Sequence, residues 1–253
     1  ATIGIKLNGH PNKALAQMII NETKSLKGYS LILRNEKTLH VTASQILDRI
    51  ETDTSNNLNK PGLQAHYNAY EEEYWSLVED GIINIEETLN KIPQDVQMLP
   101  RLKCGMEERL RHILSRICAY WSLANMKSSG EVDYQGREAF NILRPHAGQI
   151  IAIFRLLGIE DEAEVGNTEV SGKYHPVKAK LNHTALLMDA LSNQLVEILT
   201  GEGKSVVLAL TAIVLAVMGC SVKSGCYSEY LSKRDLASFE SLFSAFNVDA
   251  FIE

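Results

Sequence analysis

The chain has 253 residues, of which 45% are hydrophobic and 22% charged, and a formal net charge of −6. That length can bury one large core or two modest ones, and the acidic balance gives no general electrostatic attraction to nucleic acid. Four cysteines (Cys104, Cys118, Cys220, Cys226) stand at no CxxC spacing and seven histidines are scattered. This argues against a zinc knuckle or a disulfide framework and fits a reducing compartment.

Along the chain, Thr2 to Leu7 and Tyr29 to Leu33 are predicted as short strands, with a helix from Asn12 to Thr23 between them. Ala1 to His10 has neither a basic start nor an apolar core, so no signal peptide is expected there. Asp53 to Gly62 is polar and rich in Asn, with Pro61 and Gly62, and is predicted as a linker. From Leu63 to Met126 the apolar spacing turns helical, through Ile82, Ile85, Leu89 and Ile92 and again through Leu110, Ile113, Leu114 and Ile117. Pro93 and Pro100 are expected to separate these helices. Glu71 to Glu73 and Arg109, Arg111 and Arg116 are expected on solvated helix faces, with a docking surface as the alternative.

Lys127 to Gly130 is predicted as a second linker, followed by a helix from Arg137, a break at Arg144-Pro145 and another helix ending at Leu157. Glu160 to Lys180 is polar and charged and is expected to be an exposed insertion, with a helix at Asn182 to Leu191 after it. Then come a predicted strand at Leu195 to Leu199, a loop, a helix from Lys204 to Met218, a strand at Ser221 to Cys226 and a helix from Ser232 to Phe246; Val248 to Ile252 is read as the start of a further strand. That order is the order of a parallel α/β sheet. The apolar run from Val206 to Met218 is too short to span a bilayer, which takes about 20 residues, and is expected to be a buried helix.

The loop carries the chemistry. Thr200-Gly201-Glu202-Gly203-Lys204-Ser205 stands between an apolar strand pattern and an apolar helix pattern, the setting that a phosphate-binding loop requires. Glycines at 201 and 203 let successive N–H groups point at one anion, and the helix that follows adds its positive end. Lys204 can reach the β and γ phosphates, and the Ser205 hydroxyl can ligate Mg²⁺. The first glycine of the full Walker pattern is missing, since residue 198 is Ile198.

These residues resemble the nucleotide-binding domain of SecA, the bacterial preprotein translocase motor. The SecA loop reads TGEGKT and also lacks the first Walker glycine; here it reads TGEGKS. Tyr227 to Asp235 (YSEYLSKRD) is similar to the SecA segment NDYLAQRD, and Arg144 to Gln149 (RPHAGQ), with Arg137-Glu-Ala before it, resembles the run whose glutamine reads adenine. The chain departs from the family at Gly158 to Ser192, where SecA has a much shorter join.

The resemblance implies ATP and Mg²⁺ as cofactors. By position, Gln149 would meet the adenine, Thr200, Gly201, Glu202, Gly203, Lys204 and Ser205 would hold the phosphates, and Ser205 would also ligate the metal. Arg234 would touch phosphate, or pair with Asp235 or Glu229. The expected fold is α/β and helix-rich, with a helical N-terminal region followed by the first part of a P-loop (RecA-like) parallel-sheet domain. Its expected divisions are a small α/β element over 1–53, a helical region over 63–128 and a partial SecA-like domain over 133–253, with an insertion at about 158–192. The function it implies is the ATP-binding portion of a motor that couples nucleotide to polypeptide translocation or remodelling. The expected partners are ATP or ADP, a polypeptide substrate and the remainder of a longer protein, in the cytoplasm or peripheral to a membrane. No acidic pair follows the loop after an apolar strand, so nucleotide binding without efficient turnover is expected. Two alternatives stay open: a helical interaction module with a vestigial phosphate loop (including a site that holds only sulfate or phosphate), and a nucleic-acid helicase fragment.

Overall fold

A computed structural model describes residues 42–50, 58–101, 104–132, 138–159, 194–198, 201 and 203–252. The elements expected before residue 42, the insertion and the helix at Asn182 to Leu191 lie outside these residues.

Helix α1 (Ala43–Arg49) begins at a capping box, in which the Thr42 hydroxyl accepts the Gln45 N–H at 3.2 Å and the Gln45 side chain accepts the Thr42 N–H at 3.1 Å. Helix α2 (Lys60–Ile83) starts at Asn59, whose side chain accepts the Gly62 N–H. Pro61 and Gly62, counted with the linker from sequence, therefore form the first turn of a helix. Proline suits that turn because its missing N–H has no intrahelical partner there. Helix α3 (Ile85–Met98) follows a break at Asn84 and contains Pro93. The chain is interrupted at Asn84 and at the 3₁₀ turn Leu99–Arg101, which holds Pro100, and not at Pro93. Burial of Ile92 and Val96 on one face holds α3 together around the hydrogen bond that Pro93 cannot make.

Helix α4 (Met106–Ala124) is the centre of the molecule, packed on α2 and α3 and touched by the later helices. Strand β1 (Lys127–Val132) pairs antiparallel with β2 (Glu138–Asn141), with an irregular register between Ser128 and Val132. This hairpin replaces both the expected linker at 127–130 and the expected helix from Arg137. The stretch before Pro145 is too short to nucleate a helix alone, and residues close to a proline are held off helical geometry. Helix α5 (Ala147–Leu157) then enters the core, followed by α6 (Lys204–Val217) and α7 (Glu229–Ala245).

The core is built on a tyrosine stripe. Tyr67, Tyr70 and Tyr74 recur at helical spacing on the buried side of α2. Tyr70 stacks on Tyr74 with ring centres 5.9 Å apart, and Phe154 from α5 meets Tyr70 edge-on at 6.1 Å. The Tyr74 hydroxyl donates to Ser122 Oγ on α4 at 2.8 Å, so the polar tip of the ring is satisfied inside the protein.

Of the charged residues expected on solvated faces, Glu72 is exposed, whereas Glu73 and Arg116 join an interhelical network. Glu73 on α2 accepts from Ser115 Oγ at 2.6 Å, faces His112 Nδ1 at 2.8 Å and pairs with Arg116, all on α4. Glu71 is 3.5 Å from Arg144, whose guanidinium lies over the Trp75 ring at 5.2 Å. Arg109 is buried and donates to the Cys104 carbonyl at 3.0 Å. Burial raises the Glu73 pKa, but the His112 and Ser115 bonds and the Arg116 charge outweigh it and hold the carboxyl below its usual value.

The parallel sheet is not found among the described residues. Their two strands, β1 and β2, are antiparallel, and residues 194–198, 221–226 and 248–252 carry no strand. Residues 194–198 do alternate, with Val196 and Ile198 partly buried on the core and Leu195 fully exposed. Alternation gives a strand only where a ladder partner lies alongside, and a parallel strand needs neighbours and cover on both faces. Among the described residues Leu195 has neither, and residues 221–226 are exposed along their whole length.

Candidate functional site

The loop sits where three helices meet. Val207, Leu210, Ile213 and Val214 of α6 are buried toward α4 and α5, which fixes the position of its first turn. Arg155 on α5 donates to Gln194 Oε1 at 3.2 Å and so ties the segment before the loop to the core; burial lowers the guanidinium pKa.

Two glycines give the loop its shape. Gly201 has φ +92° and Gly203 has φ +73°, both in the left-handed region that disfavours a side chain. At Gly203 there is a second constraint, because a Cβ would lie 2.3 Å from Gln149 Nε2. Gln149 is buried at the start of α5. Its Oε1 accepts the His146 N–H at 3.0 Å, and its Nε2 donates to the Gly203 carbonyl at 3.3 Å. One amide thus joins the N-terminus of α5 to the N-terminus of α6. Gly203 is also the N-cap of α6, and no side chain of the described residues caps that helix. The left-handed turn, the close amide and the uncapped helix together form an arrangement of the kind that can receive an anion.

Directly after Gly203, Lys204 is exposed and Ser205 half-buried. The Ser205 hydroxyl donates to Asp235 Oδ2 on α7 at 2.7 Å. Arg234 holds the other carboxylate oxygen, with Nε and Nη2 at 2.8 and 2.6 Å from Oδ1, and its Nη2 stands 3.4 Å from Ser205 Oγ. Of the two pairings expected for Arg234, the one with Asp235 is therefore found, while Glu229 pairs with Lys233 at 2.5 Å. A groove of about 590 Å³ opens below Ser205 and Asp235 between α6 and α7. Leu208, Ala212 and Ala216 line one wall and Phe239 and Phe243 the other. The apolar run of α6 is thus split between core and groove and is not buried all round, with Leu208 43% exposed.

The structure brings Gln149, Gly203, Lys204, Ser205 and Arg234 to one end of α6, with Gly201 beside them; Thr200 and Glu202 lie outside the described residues. Sequence reasoning gave Asp235 no role of its own. The signal was present in the quoted YLSKRD segment, where the last acid stands one helical turn before the core residue Phe239. Among the described residues no group of three or more His, Cys, Asp or Glu side chains could hold a metal, and no helix is long and apolar enough to cross a membrane. A hydroxyl beside a carboxylate is a hard-oxygen pair of the kind that suits Mg²⁺, which keeps several waters and takes few protein ligands.

Residues 164–252 match the family model of the SecA DEAD-like domain. The stretch covers the loop, α6 and α7, so this part of the chain is similar to the SecA DEAD-like domain; Gln149 and the helices up to α5 lie outside the match. No curated protein and no solved structure was found to match the chain.

Proposed function

We propose that the loop and the first turns of α6 and α7 hold the phosphates of ATP with Mg²⁺, as the ATP-binding portion of a SecA-like motor that couples nucleotide to polypeptide translocation or remodelling. The observation that carries this reading is the pair of left-handed glycines leading into an uncapped helix, inside the stretch that matches the family. Main-chain N–H groups at the Gly201 and Gly203 turns would cradle the β phosphate, and Lys204 would place a compact positive charge on the β and γ phosphates. Mg²⁺, when bound, neutralises phosphate charge, and Ser205 is the residue that would ligate it. Arg234 sits at the edge of the same site, its guanidinium shared between Asp235 and Ser205. Gln149 reads the adenine edge with the amide that braces Gly203, since a carboxamide has two N–H donors and two lone pairs.

The test is calorimetric titration of Mg-ATP and Mg-ADP into the full chain. Saturable binding is expected, weakened at least about tenfold by Lys204→Ala, which removes a charge-assisted contact of about 1.5–3 kcal/mol. Absence of binding at millimolar nucleotide would refute the reading. Coupling has its own readout: added unfolded polypeptide should change nucleotide affinity, whereas a response to nucleic acid alone would point to the helicase alternative.

A further inference from the structure

The hydrogen bond from Ser205 to Asp235 crosses between two helices and fixes the direction of a proton. A serine hydroxyl has one proton and two lone pairs. With the proton committed to Asp235 Oδ2 at 2.7 Å, the lone pairs face away from the carboxylate. This is the orientation in which a hydroxyl oxygen can approach a cation; reversed, it would present a proton to it. Asp235 is itself held, since two Arg234 contacts fall on Oδ1 and leave Oδ2 for the serine; a third, from Nη2 to Ser205 Oγ at 3.4 Å, takes one lone pair of the hydroxyl and leaves the other for a cation. The side chain of Asp235 is 22% exposed and stands four residues before Phe239. Phe239 is buried and packs against Trp121 of α4 at 6.4 Å, so the face of α7 that carries Asp235 is anchored in the core. The start of α7 is fixed as well, because Ser228 caps it by accepting the Leu231 N–H at 3.3 Å.

Resting on the nucleotide reading above, we infer that Asp235 is a positioning residue which sets the Ser205 hydroxyl for Mg²⁺, with Arg234 setting Asp235 in turn. The acidic partner of the loop hydroxyl thereby comes from α7, inside the described part of the chain. Asp235 acts through Ser205, so its signature is in the metal dependence of binding and not in binding as such.

ADP affinity of the full chain is measured calorimetrically in EDTA and in Mg²⁺, each variant serving as its own reference. Wild type should bind more tightly with Mg²⁺. Ser205→Ala and Asp235→Asn should each lose most of that gain, about tenfold, and the double variant should lose no more than either alone, because both remove one contact. Ser205→Thr, which keeps a hydroxyl, should retain the gain. An Asp235→Asn protein with the full Mg²⁺ gain, or additive losses in the double variant, would overturn the inference while leaving the nucleotide reading intact. Wild type that binds ADP under neither condition would overturn both. Should Asp235→Asn fail to fold, Arg234→Gln gives the same decision: partial loss of the gain supports the positioning chain, and an undiminished gain refutes it.

Discussion

The two ends of the molecule are built on opposite plans. Where α2, α4 and α5 meet, large side chains are buried and their polar atoms are paired with one another: Tyr74 with Ser122, and Glu73 with His112, Ser115 and Arg116. At the α6–α7 end the polar groups converge on a surface, small residues and phenylalanines line an open groove, and the backbone adopts left-handed turns. The first plan gains stability from contacts that exclude water. The second keeps donors and a cation in reach of something that arrives from solution. The lesson is that the stable half serves as a frame: Arg155, Gln149 and Phe239 are the points at which it grips the loop and α7.

Substitutions should separate the two plans. Phe154→Ala, in the frame, removes a fully buried ring that touches Tyr70 and His66 and should cost about 3–5 kcal/mol in denaturant unfolding. Glu73→Ala strips the partner from His112 and Arg116 and should cost about 2 kcal/mol, discounted from a fully buried pair because the carboxylate retains some contact with water. Gly203→Ala should cost only about 1–2 kcal/mol of stability through its φ and the clash with Gln149, yet should abolish nucleotide binding. Leu208→Ser, on the groove side of α6, should change stability by less than about 0.5 kcal/mol. If Leu208→Ser proved as costly as Phe154→Ala, the groove would be part of the core and the comparison would fail.

Acidity and alkalinity probe the frame in the same spirit. Glu73 has a depressed pKa, so its contribution is present above its ordinary value of 4.5 and is lost as pH falls through the lower folded value. Burial pushes the Cys118 thiol from 9.0 up to about 12 and also raises Tyr67, Tyr70 and Tyr74. Their neutral forms are favoured by folding, so that stability is intact below pH 9.0 and declines as pH rises toward about 12. Thermal unfolding followed across both limbs checks the two signs.

Much of the helical part was legible in the sequence, for reasons visible in single residues. The apolar runs of α5 and α6 and the glycine ahead of α6 mark those elements to within a residue or two. Pro93 misled because local chemistry names a breaker, whereas the burial of Ile92 and Val96 decides the outcome. The solvated faces misled because a charge pattern does not say which helix lies opposite, and Glu73 finds its partners on α4, far along the chain. The strands expected at 195–199 and 221–226 were read from single segments and their order along the chain, while a ladder is a property of two segments. At the site, composition and spacing identify Gly203, Lys204 and Ser205. Asp235 was hidden because its partner is a hydroxyl thirty positions earlier, joined by a packing of helices that no local pattern encodes.

Hydrogen exchange at the backbone amides of residues 203–207, with and without saturating Mg-ATP, tests the cradle most directly. These amides should slow markedly on adding nucleotide in wild type but not in Lys204→Ala, while those of α2 and α4 keep their rates. Unchanged exchange at the start of α6 under saturating nucleotide, or protection confined to the frame helices, would contradict the account.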